Sequence, residues 1–251
     1  MDSFLTWIGG KKALRKKIVE QFPKNGTFGR YVEVFGGAGW VLFFSERHAK
    51  IEVYNDINGS LVNLFRCIKY HPTAVQEELE YILMSREQFY DAREQIKIRG
   101  MTDIQRAAQF FILIKESFGA DIRSFGLRAR DMNKAKEYLN VVSNRLNKVV
   151  IENDDYRKII KNYDKKDTLF YLDPPYYDAE KYYPDRFMLE DHLELKRLLE
   201  GIKGKFILSY NDCDYIRKLY RGYNIVEVER VHSLIQKNTK PRYQELIIKN
   251  Y

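Results

Sequence analysis

A buried strand that ends abruptly at two prolines constrains this chain more than any other feature. Residues 168–176 read TLFYLDPPY, an apolar and aromatic run followed by Asp173, Pro174 and Pro175. Proline cannot donate a backbone hydrogen bond, so strand pairing must stop at the first proline, and the second leaves the turn little freedom. The carboxylate of Asp173 is therefore predicted to lie at the carboxyl end of a strand, where open α/β sheets bind their ligands.

Tyr176 follows the prolines directly and adds an aromatic face beside the carboxylate and the prolyl carbonyls. An aromatic face next to hydrogen-bond acceptors suits a flat ring that carries an amino group. A plain strand followed by a proline turn explains the Asp-Pro-Pro run about as well. The interpretation therefore depends on the glycine-rich segments upstream.

The size and composition of the chain indicate one large domain, or one domain with an insertion. The chain has 251 residues, of which 45% are hydrophobic and 14% aromatic, enough for a sizeable core. No apolar run approaches the roughly 20 residues that cross a bilayer, and the first residues lack the pattern of a secretion signal. Cys67 and Cys213 are far apart and predict neither a disulfide framework nor a zinc site. We therefore expect a cytoplasmic protein with reduced thiols.

The charge balance favours a polyanionic partner. The net charge is +8, and the chain contains 19 Tyr and 15 Phe residues. A basic balance alone is modest evidence, but cations beside aromatic rings are how proteins hold exposed bases. Composition thus favours nucleic acid. No metal is expected, because the four histidines show no metal-ligand spacing: His48, His71, His192 and His232.

A first glycine-rich segment lies near the amino terminus. It contains Trp7, Gly9, Gly10 and Lys11, and apolar residues at helical spacing follow it. Glycines let the backbone approach a ligand closely, and the free amides at a helix start favour an anion. A helix with a flexible start explains this segment better when the segment is taken alone.

A second glycine-rich segment follows a short predicted strand at residues 31–35. It contains Gly36, Gly37 and Gly39, and it leads into a predicted apolar helix through Phe44. A strand, a glycine-rich turn and a helix form the opening unit of nucleotide-binding α/β folds. A lone glycine loop is a weak signal, so its weight depends on the next strand and the residue that ends it.

An acidic residue follows that next predicted strand, at residues 51–54. Asp56 comes about 20 residues after the glycines, where nucleotide-binding folds place an acid on ribose hydroxyls. Capping of the next helix, at residues 58–70, is the alternative role for this aspartate.

The middle of the chain, residues 58–147, is helical, charged and poor in strand signals. It contains Arg123, Arg128 and Arg130, with two glycines and interleaved aromatic residues nearby. Arginine forks contact phosphates and guanine edges, which predicts a loop or small hairpin that touches nucleic acid. A solvated charged loop is an equally weighted alternative.

The strand pattern resumes at residues 148–152, and Asp154 and Asp155 follow that strand. Strands alternate with helices through the rest of the chain, which predicts a mostly parallel sheet covered on both faces. The later predicted elements are a helix at residues 189–201 and strands at residues 205–211, 224–231 and 243–249.

In this order the motifs resemble those of the Dam-type DNA adenine methyltransferases (D12 class, alpha group). The resemblance covers both ends of the chain, and the ordered set is far more specific than any one piece. Its parts are WIGGK at 7–11, FGGAG at 35–39, Asp56, DPPY at 173–176 and a closing strand within RYQELIIKNY at 242–251.

The resemblance implies a fold and an activity. The fold would be a Rossmann-like sheet of the S-adenosylmethionine-dependent methyltransferases. Residues 1–56 and 148–251 would form the catalytic domain, and residues 57–147 an inserted helical target-recognition domain. The enzyme would transfer a methyl group from S-adenosylmethionine to the exocyclic 6-amino group of adenine in double-stranded DNA, at a short specific site. The product of the donor would be S-adenosylhomocysteine.

The resemblance also implies roles for individual residues. The target base would be handled by Asp173, Pro174, Pro175 and Tyr176, and the DNA by Arg123, Arg128 and Arg130. In better-studied members a longer DNA-reading hairpin follows the position of Arg123, whereas here the segment is short. The donor would be bound by Trp7, Gly9, Gly10, Lys11, Phe35, Gly37, Gly39, Asp56 and Asp173, with Asp154 or Asp155 near its adenine.

Two alternatives stay open at this point. One is an RNA adenine methyltransferase with the same donor and chemistry, and the other is a non-catalytic DNA-binding protein on the same scaffold. For a Dam-type enzyme we expect a monomer encoded by a bacterium or phage, with a restriction endonuclease in the same system as an open question.

Overall fold

The computed structural model describes residues 1–24, 27–83, 85–126, 131–178, 187–231 and 242–251. Within these ranges one sheet has the strand order β3-β2-β1-β4-β5-β7-β6. The strands are β1 (Arg30–Glu33), β2 (Ile51–Asn55), β3 (Val149–Glu152), β4 (Thr168–Leu172), β5 (Lys205–Asn211), β6 (Asn224–Val231) and β7 (Arg242–Lys249).

The first five strands of the chain are parallel, and β7 runs antiparallel between β5 and β6. The predicted mostly parallel α/β sheet is therefore confirmed. The strand order reverses between β1 and β4, because β1 continues toward β2 on one side while β4 continues toward β5 on the other. Such a switch point leaves a crevice at the carboxyl ends of the two central strands.

Helices cover both faces of the sheet. Five of the described helices lie between β2 and β3 in the chain. The described helices are α1 (Arg15–Glu20), α2 (Gly59–Tyr70), α3 (Pro72–Glu80), α4 (Arg86–Gln95), α5 (Asp103–Glu116), α6 (Met132–Leu146), α7 (Tyr156–Tyr163), α8 (Leu189–Gly201) and α9 (Asp214–Leu219). Within the described ranges, none of the helices has the length and apolar character needed to cross a membrane.

The core divides at the sheet, because successive residues of a strand point to opposite faces. Tyr171 of β4 packs with residues of α1, α2, α3, α5 and α6 on one face. Its neighbours Phe170 and Leu172 pack with residues of α7, α8 and α9 on the other. The helical segment between β2 and β3 thus packs directly on one face of the sheet.

A buried ion pair ties that helical segment to the sheet. Arg145 of α6 donates to both carboxylate oxygens of Glu52 in β2, at 2.8 and 2.9 Å. The same guanidinium donates to the carbonyls of Leu42 and Ser45. The two side chains are 7% and 1% exposed, so the pair satisfies charges that would be costly to bury alone.

The predicted helix through Phe44 is wrong. After the glycines the chain makes a turn and then only a 3₁₀-helix, Leu42–Phe44. Gly37 and Gly39 have φ values of +50° and +67°, which are not helical, so a regular helix cannot begin at the turn. The apolar run was a signal of burial rather than of helix.

Candidate active site

A cleft opens at the switch point, between the segments that leave β1 and β4. Glu33 of β1 pairs in register with Tyr171 of β4, so the two segments begin side by side. The cleft is lined by Trp7, Ile8, Gly9, Gly10, Lys11, Glu33, Phe35, Gly36, Gly37, Ala38, Trp40, Val41, Asp56, Ile57, Asn58, Tyr171, Asp173 and Pro175.

Residues from four segments of the sequence therefore meet in one place. The amino-terminal segment, the glycine turn after β1, the residues that follow β2 and the turn after β4 all contribute to the cleft. Of the predicted site residues, those that line it are Trp7, Gly9, Gly10, Lys11, Phe35, Gly37, Asp56, Asp173 and Pro175.

The glycine turn is packed so tightly that side chains would not fit. A Cβ atom at Gly36 would lie 2.2 Å from the ring of Tyr54, and one at Gly37 would lie 3.0 Å from the ring of Trp7. The Tyr54 hydroxyl donates to the Gly37 carbonyl at 2.6 Å. The backbone of this turn is therefore held against two aromatic rings, with Gly37 exposed to the cleft.

Asp56 connects the glycine turn to the start of α2. One of its carboxylate oxygens accepts from the Gly37 amide and the other from the Asn58 amide, both at 2.8 Å. The cap of α2 is Asn58, whose side chain accepts from the Leu61 amide at 3.0 Å. Capping, the alternative role for Asp56, thus falls to a neighbouring residue.

We expect Asn58→Ala to lower the free energy of unfolding by about 1 kcal/mol, the usual effect of removing a helix cap. Urea denaturation of the two proteins measures this change. Asn140→Ala is the matched control, because Asn140 is exposed inside α6 and alanine there favours the helix. Equal stability of Asn58→Ala and the parent protein would contradict the assignment of the cap.

Lys11 links the amino-terminal segment to the turn after β4. Its ammonium group lies 2.7 Å from an oxygen of Asp173 and donates to the Gly9 carbonyl at 3.0 Å. The lysine side chain is only 4% exposed, and such a buried charge requires a close counter-charge. The same ammonium group lies 4.6 Å from the centre of the Tyr176 ring.

The turn after β4 is anchored at both of its tyrosines. The Tyr176 hydroxyl donates to a carboxylate oxygen of Glu245 at 2.6 Å. The side-chain amide of Asn211 donates to the Tyr177 carbonyl at 3.2 Å. Tyr176 is not among the described residues that line the cleft. It lies next to two residues that line it, Lys11 and Pro175.

Glu33 is a cleft residue that sequence reasoning missed. It is 2% exposed and accepts from the Tyr31 hydroxyl at 2.7 Å. Burial raises the pKa of Glu33 to about 8, and the nearby Asp173 charge adds to this rise, while the Tyr31 hydrogen bond opposes it. The sequence signal that could have identified Glu33 is an acidic residue inside an apolar strand, just before the glycine turn.

Asp154 and Asp155 lie at the end of β3, and neither is among the residues that line the cleft in the described part of the chain. Asp155 caps α7 through the Arg157 amide and pairs with the Arg157 guanidinium at 2.9 Å. Asp154 pairs with Lys158 at 3.0 Å, and its backbone bonds to the side chain of Asn55 in β2. Both carboxylates therefore make local contacts at the start of α7.

The part of the predicted arginine-containing loop that the structure describes is a small hairpin, closed by a single antiparallel bridge. Ser117 and Phe125 form an antiparallel bridge around the 3₁₀-helix Phe118–Ala120. Arg123 is exposed on this hairpin, where its amide donates to Asp121 at 2.9 Å. Arg128 and Arg130 lie outside the described residues.

The remaining predicted site residues hold the two turns in shape. Gly39 closes the glycine turn through its amide, which donates to the Gly36 carbonyl at 2.8 Å. Pro174 is buried between Asp173 and Pro175. Among the residues that the structure describes, no group of three His, Cys, Asp or Glu side chains could hold a metal ion.

The arrangement of the cleft suits a ligand with both polar and planar parts. The carboxylates of Asp56 and Asp173 and the carboxyl group of Glu33 lie along it, between aromatic rings and glycine backbone. Carboxylates accept hydrogen bonds from amines and hydroxyls, and aromatic faces hold flat rings or cations.

Comparison with known proteins identifies the family. The family model described as D12 class N6 adenine-specific DNA methyltransferase matches residues 7–234. The Type II methyltransferase M.MjaIII of Methanocaldococcus jannaschii is 28% identical over 286 residues, covering 99% of this chain and 98% of the relative. M1.LlaDCHI, a Type II methyltransferase of Lactococcus lactis subsp. cremoris, is 27% identical, with coverage of 99% and 95%. A DNA adenine methylase of Haemophilus influenzae is 26% identical, with coverage of 97% and 92%.

The matched region begins at Trp7 and includes the glycine turn, Asp56 and the turn after β4. The chain belongs to the D12 class of N6 adenine-specific DNA methyltransferases.

Proposed function

We propose that this DNA adenine methyltransferase uses S-adenosylmethionine as its methyl donor and acts on a short specific site in double-stranded DNA. We assign the donor to the cleft at the switch point and the target adenine to Asp173, Pro174 and Tyr176. The observation that carries this assignment is the position of Asp173, which shares one cleft with the glycine turn and Asp56.

The residues of the cleft fit the donor. Gly37, which is exposed to the cleft, allows the backbone to approach the donor closely, and Asp56 offers carboxylate oxygens for ribose hydroxyls. Trp7 and Phe35 offer aromatic faces for a planar ring or a sulfonium cation. When bound, S-adenosylmethionine supplies an electrophilic methyl group on sulfur.

The residues of the turn after β4 fit the reacting amine of adenine. The lone pair of this amine is delocalised into the ring, which makes the nitrogen a poor nucleophile. Hydrogen bonds from the amine to the Asp173 carboxylate and the Pro174 carbonyl favour a pyramidal nitrogen with a more available lone pair. The same acceptors stabilise the positive charge that develops on the nitrogen during methyl transfer, which lowers the barrier, and the methylated amine then loses its extra proton.

The target base must leave the duplex to reach this turn, at a cost of a few kcal/mol. Stacking on the Tyr176 ring would return about 1–3 kcal/mol. The net charge of +8 supports phosphate contacts that supply further affinity. We assign target recognition to residues 57–147, including Arg123, Arg128 and Arg130.

Transfer of a labelled methyl group from S-adenosylmethionine to duplex DNA or to total RNA tests the function. We expect label in DNA as N6-methyladenine, and sequencing of DNA from cells that express the protein would show the target site. Label in RNA alone would favour an RNA enzyme. DNA binding without methylation would favour a non-catalytic protein.

The names of the Type II relatives support pairing with a restriction endonuclease.

A further inference from the structure

A buried acid on β7 contacts the proposed target-base site. Glu245 is 3% exposed, and its carboxylate accepts a hydrogen bond from the Tyr176 hydroxyl at 2.6 Å. The same carboxylate lies 3.9 Å from the ammonium group of Lys11. On β7, apolar Leu246, Ile247 and Ile248 follow it directly, all buried.

A carboxylate in such a place is costly for the fold unless it has close partners. An apolar residue would suit the surroundings of β7 better than an acid would. The contacts of Glu245 lead instead to Tyr176 and Lys11, which are both at the site that we assign to the target adenine. A role in that site explains why the position is acidic.

We propose that Glu245 is a positioning residue for methyl transfer, which holds the Tyr176 hydroxyl and so fixes the ring on which the target adenine stacks. This inference rests on the proposed function, because it requires Tyr176 to contact the base. Glu245 is not among the described residues that line the cleft, so we assign its effect to the Tyr176 ring.

The geometry explains why the ring requires a separate anchor. The prolines and the contact between Asn211 and the Tyr177 carbonyl hold the backbone of the turn. These contacts act on the backbone and do not hold the Tyr176 hydroxyl. Lys11 and the ring of Tyr210 pack against the Tyr176 ring, with the Tyr210 ring centre 6.1 Å away, and the directional hydrogen bond to Glu245 sets the position of the hydroxyl.

Glu245 is well placed to serve as this anchor. Its strand is paired on both sides, with Asn211 of β5 and Val228 of β6 as its register partners. Burial, together with the charges of Asp173 and Glu245, raises the pKa of the Tyr176 hydroxyl well above its ordinary value. The hydroxyl therefore remains a donor throughout the neutral pH range, and a rigid strand holds its acceptor.

A double-mutant cycle tests the proposal in the full chain. The variants are Tyr176→Phe, Glu245→Leu and the two combined, with Glu245→Gln as the conservative change. The control is Glu227→Gln, a carboxylate on the neighbouring β6 that pairs with Arg217 away from the cleft. The readouts are the single-turnover methylation rate at saturating DNA and donor, and the fluorescence of 2-aminopurine placed at the target adenine.

We expect Tyr176→Phe and Glu245→Leu each to lower the rate about tenfold, since each removes the same charge-assisted hydrogen bond. The effects of the single variants should fall well short of multiplying in the double variant, because the two residues share one hydrogen bond, although Glu245 also lies 3.9 Å from Lys11. Glu245→Gln keeps an acceptor and should recover part of the rate. The 2-aminopurine fluorescence should change in parallel, while donor affinity and the control stay at the parent values.

A loss of rate in the double variant equal to the product of the two single losses would overturn the proposal. A rate equal to that of the parent protein in both Glu245 variants would overturn it too. If Glu245→Leu does not fold, Glu245→Gln takes its place in the cycle, and its smaller effect on the rate should disappear in the Tyr176→Phe background. Absence of methylation by the parent protein would overturn the proposed function and this inference together. An active parent protein, together with a double variant whose loss of rate is the product of the two single losses, would overturn this inference alone.

Discussion

Asp173→Asn is expected to lower the single-turnover rate of methyl transfer by about a thousandfold. Removing one preorganised partner of the developing charge typically costs about 10²–10³ in rate. Asparagine has nearly the same shape but is neutral, and it turns one acceptor oxygen into a donor. The variant thus loses the charge that stabilises the methylated amine, and its amide hydrogens can face those of the substrate.

The experiment must separate this loss from a change in the fold, because Asp173 also holds Lys11 at 2.7 Å. Thermal unfolding and calorimetric donor binding report on the fold of the variant independently of turnover. Asp167→Asn is the matched control, since Asp167 precedes the amino end of β4 and pairs with Arg30 on the surface. A folded Asp173→Asn variant with a rate within about tenfold of the parent would contradict the assigned role.

The central strands, and the cleft at which the residues that follow them meet, could be predicted because local chemistry determines them. The apolar run of β4 must end where the prolines remove backbone donors, and the structure ends this strand at Leu172. The helix predicted at residues 189–201 is α8, Leu189–Gly201. Parallel strands then bring their carboxyl ends to one edge, so Asp56 and Asp173 meet at the same cleft.

Contacts between distant residues could not be predicted in the same way. The pairing of Lys11 with Asp173, and of Tyr176 with Glu245, depends on how β4, β7 and the amino-terminal segment come together. No periodicity or spacing records such contacts. The local sign of such a contact is a charged residue within an apolar strand. Glu245 in β7 is an example.

The prediction of a helix after the glycine turn was wrong for a different reason. Apolar residues near Phe44 satisfy a helical pattern, but they are equally suited to a compact buried turn. The backbone conformation of Gly37 and Gly39 decides between the two, and glycine allows both conformations. Sequence alone therefore left this choice open.

Asp56→Ala is expected to weaken the binding of S-adenosylmethionine by about a hundredfold, with a much smaller effect on the rate once the donor is saturating. Hydrogen bonds to a charged group contribute about 1.5–3 kcal/mol each, and a hundredfold change corresponds to about 2.7 kcal/mol. Donor binding by calorimetry and single-turnover methylation at saturating donor measure the two effects separately.

The Asp56 carboxylate also holds the amides of Gly37 and Asn58, so its loss loosens the glycine turn as well as removing a ligand contact. Tyr54→Phe separates the two causes, because it removes the hydroxyl that donates to the Gly37 carbonyl and leaves the Asp56 carboxylate in place. A small effect of Tyr54→Phe on affinity, beside a large effect of Asp56→Ala, would locate the loss in the carboxylate itself. Unchanged affinity in Asp56→Ala would instead remove Asp56 from the donor site, and the glycine turn would then bind the donor through its backbone and the surrounding rings alone.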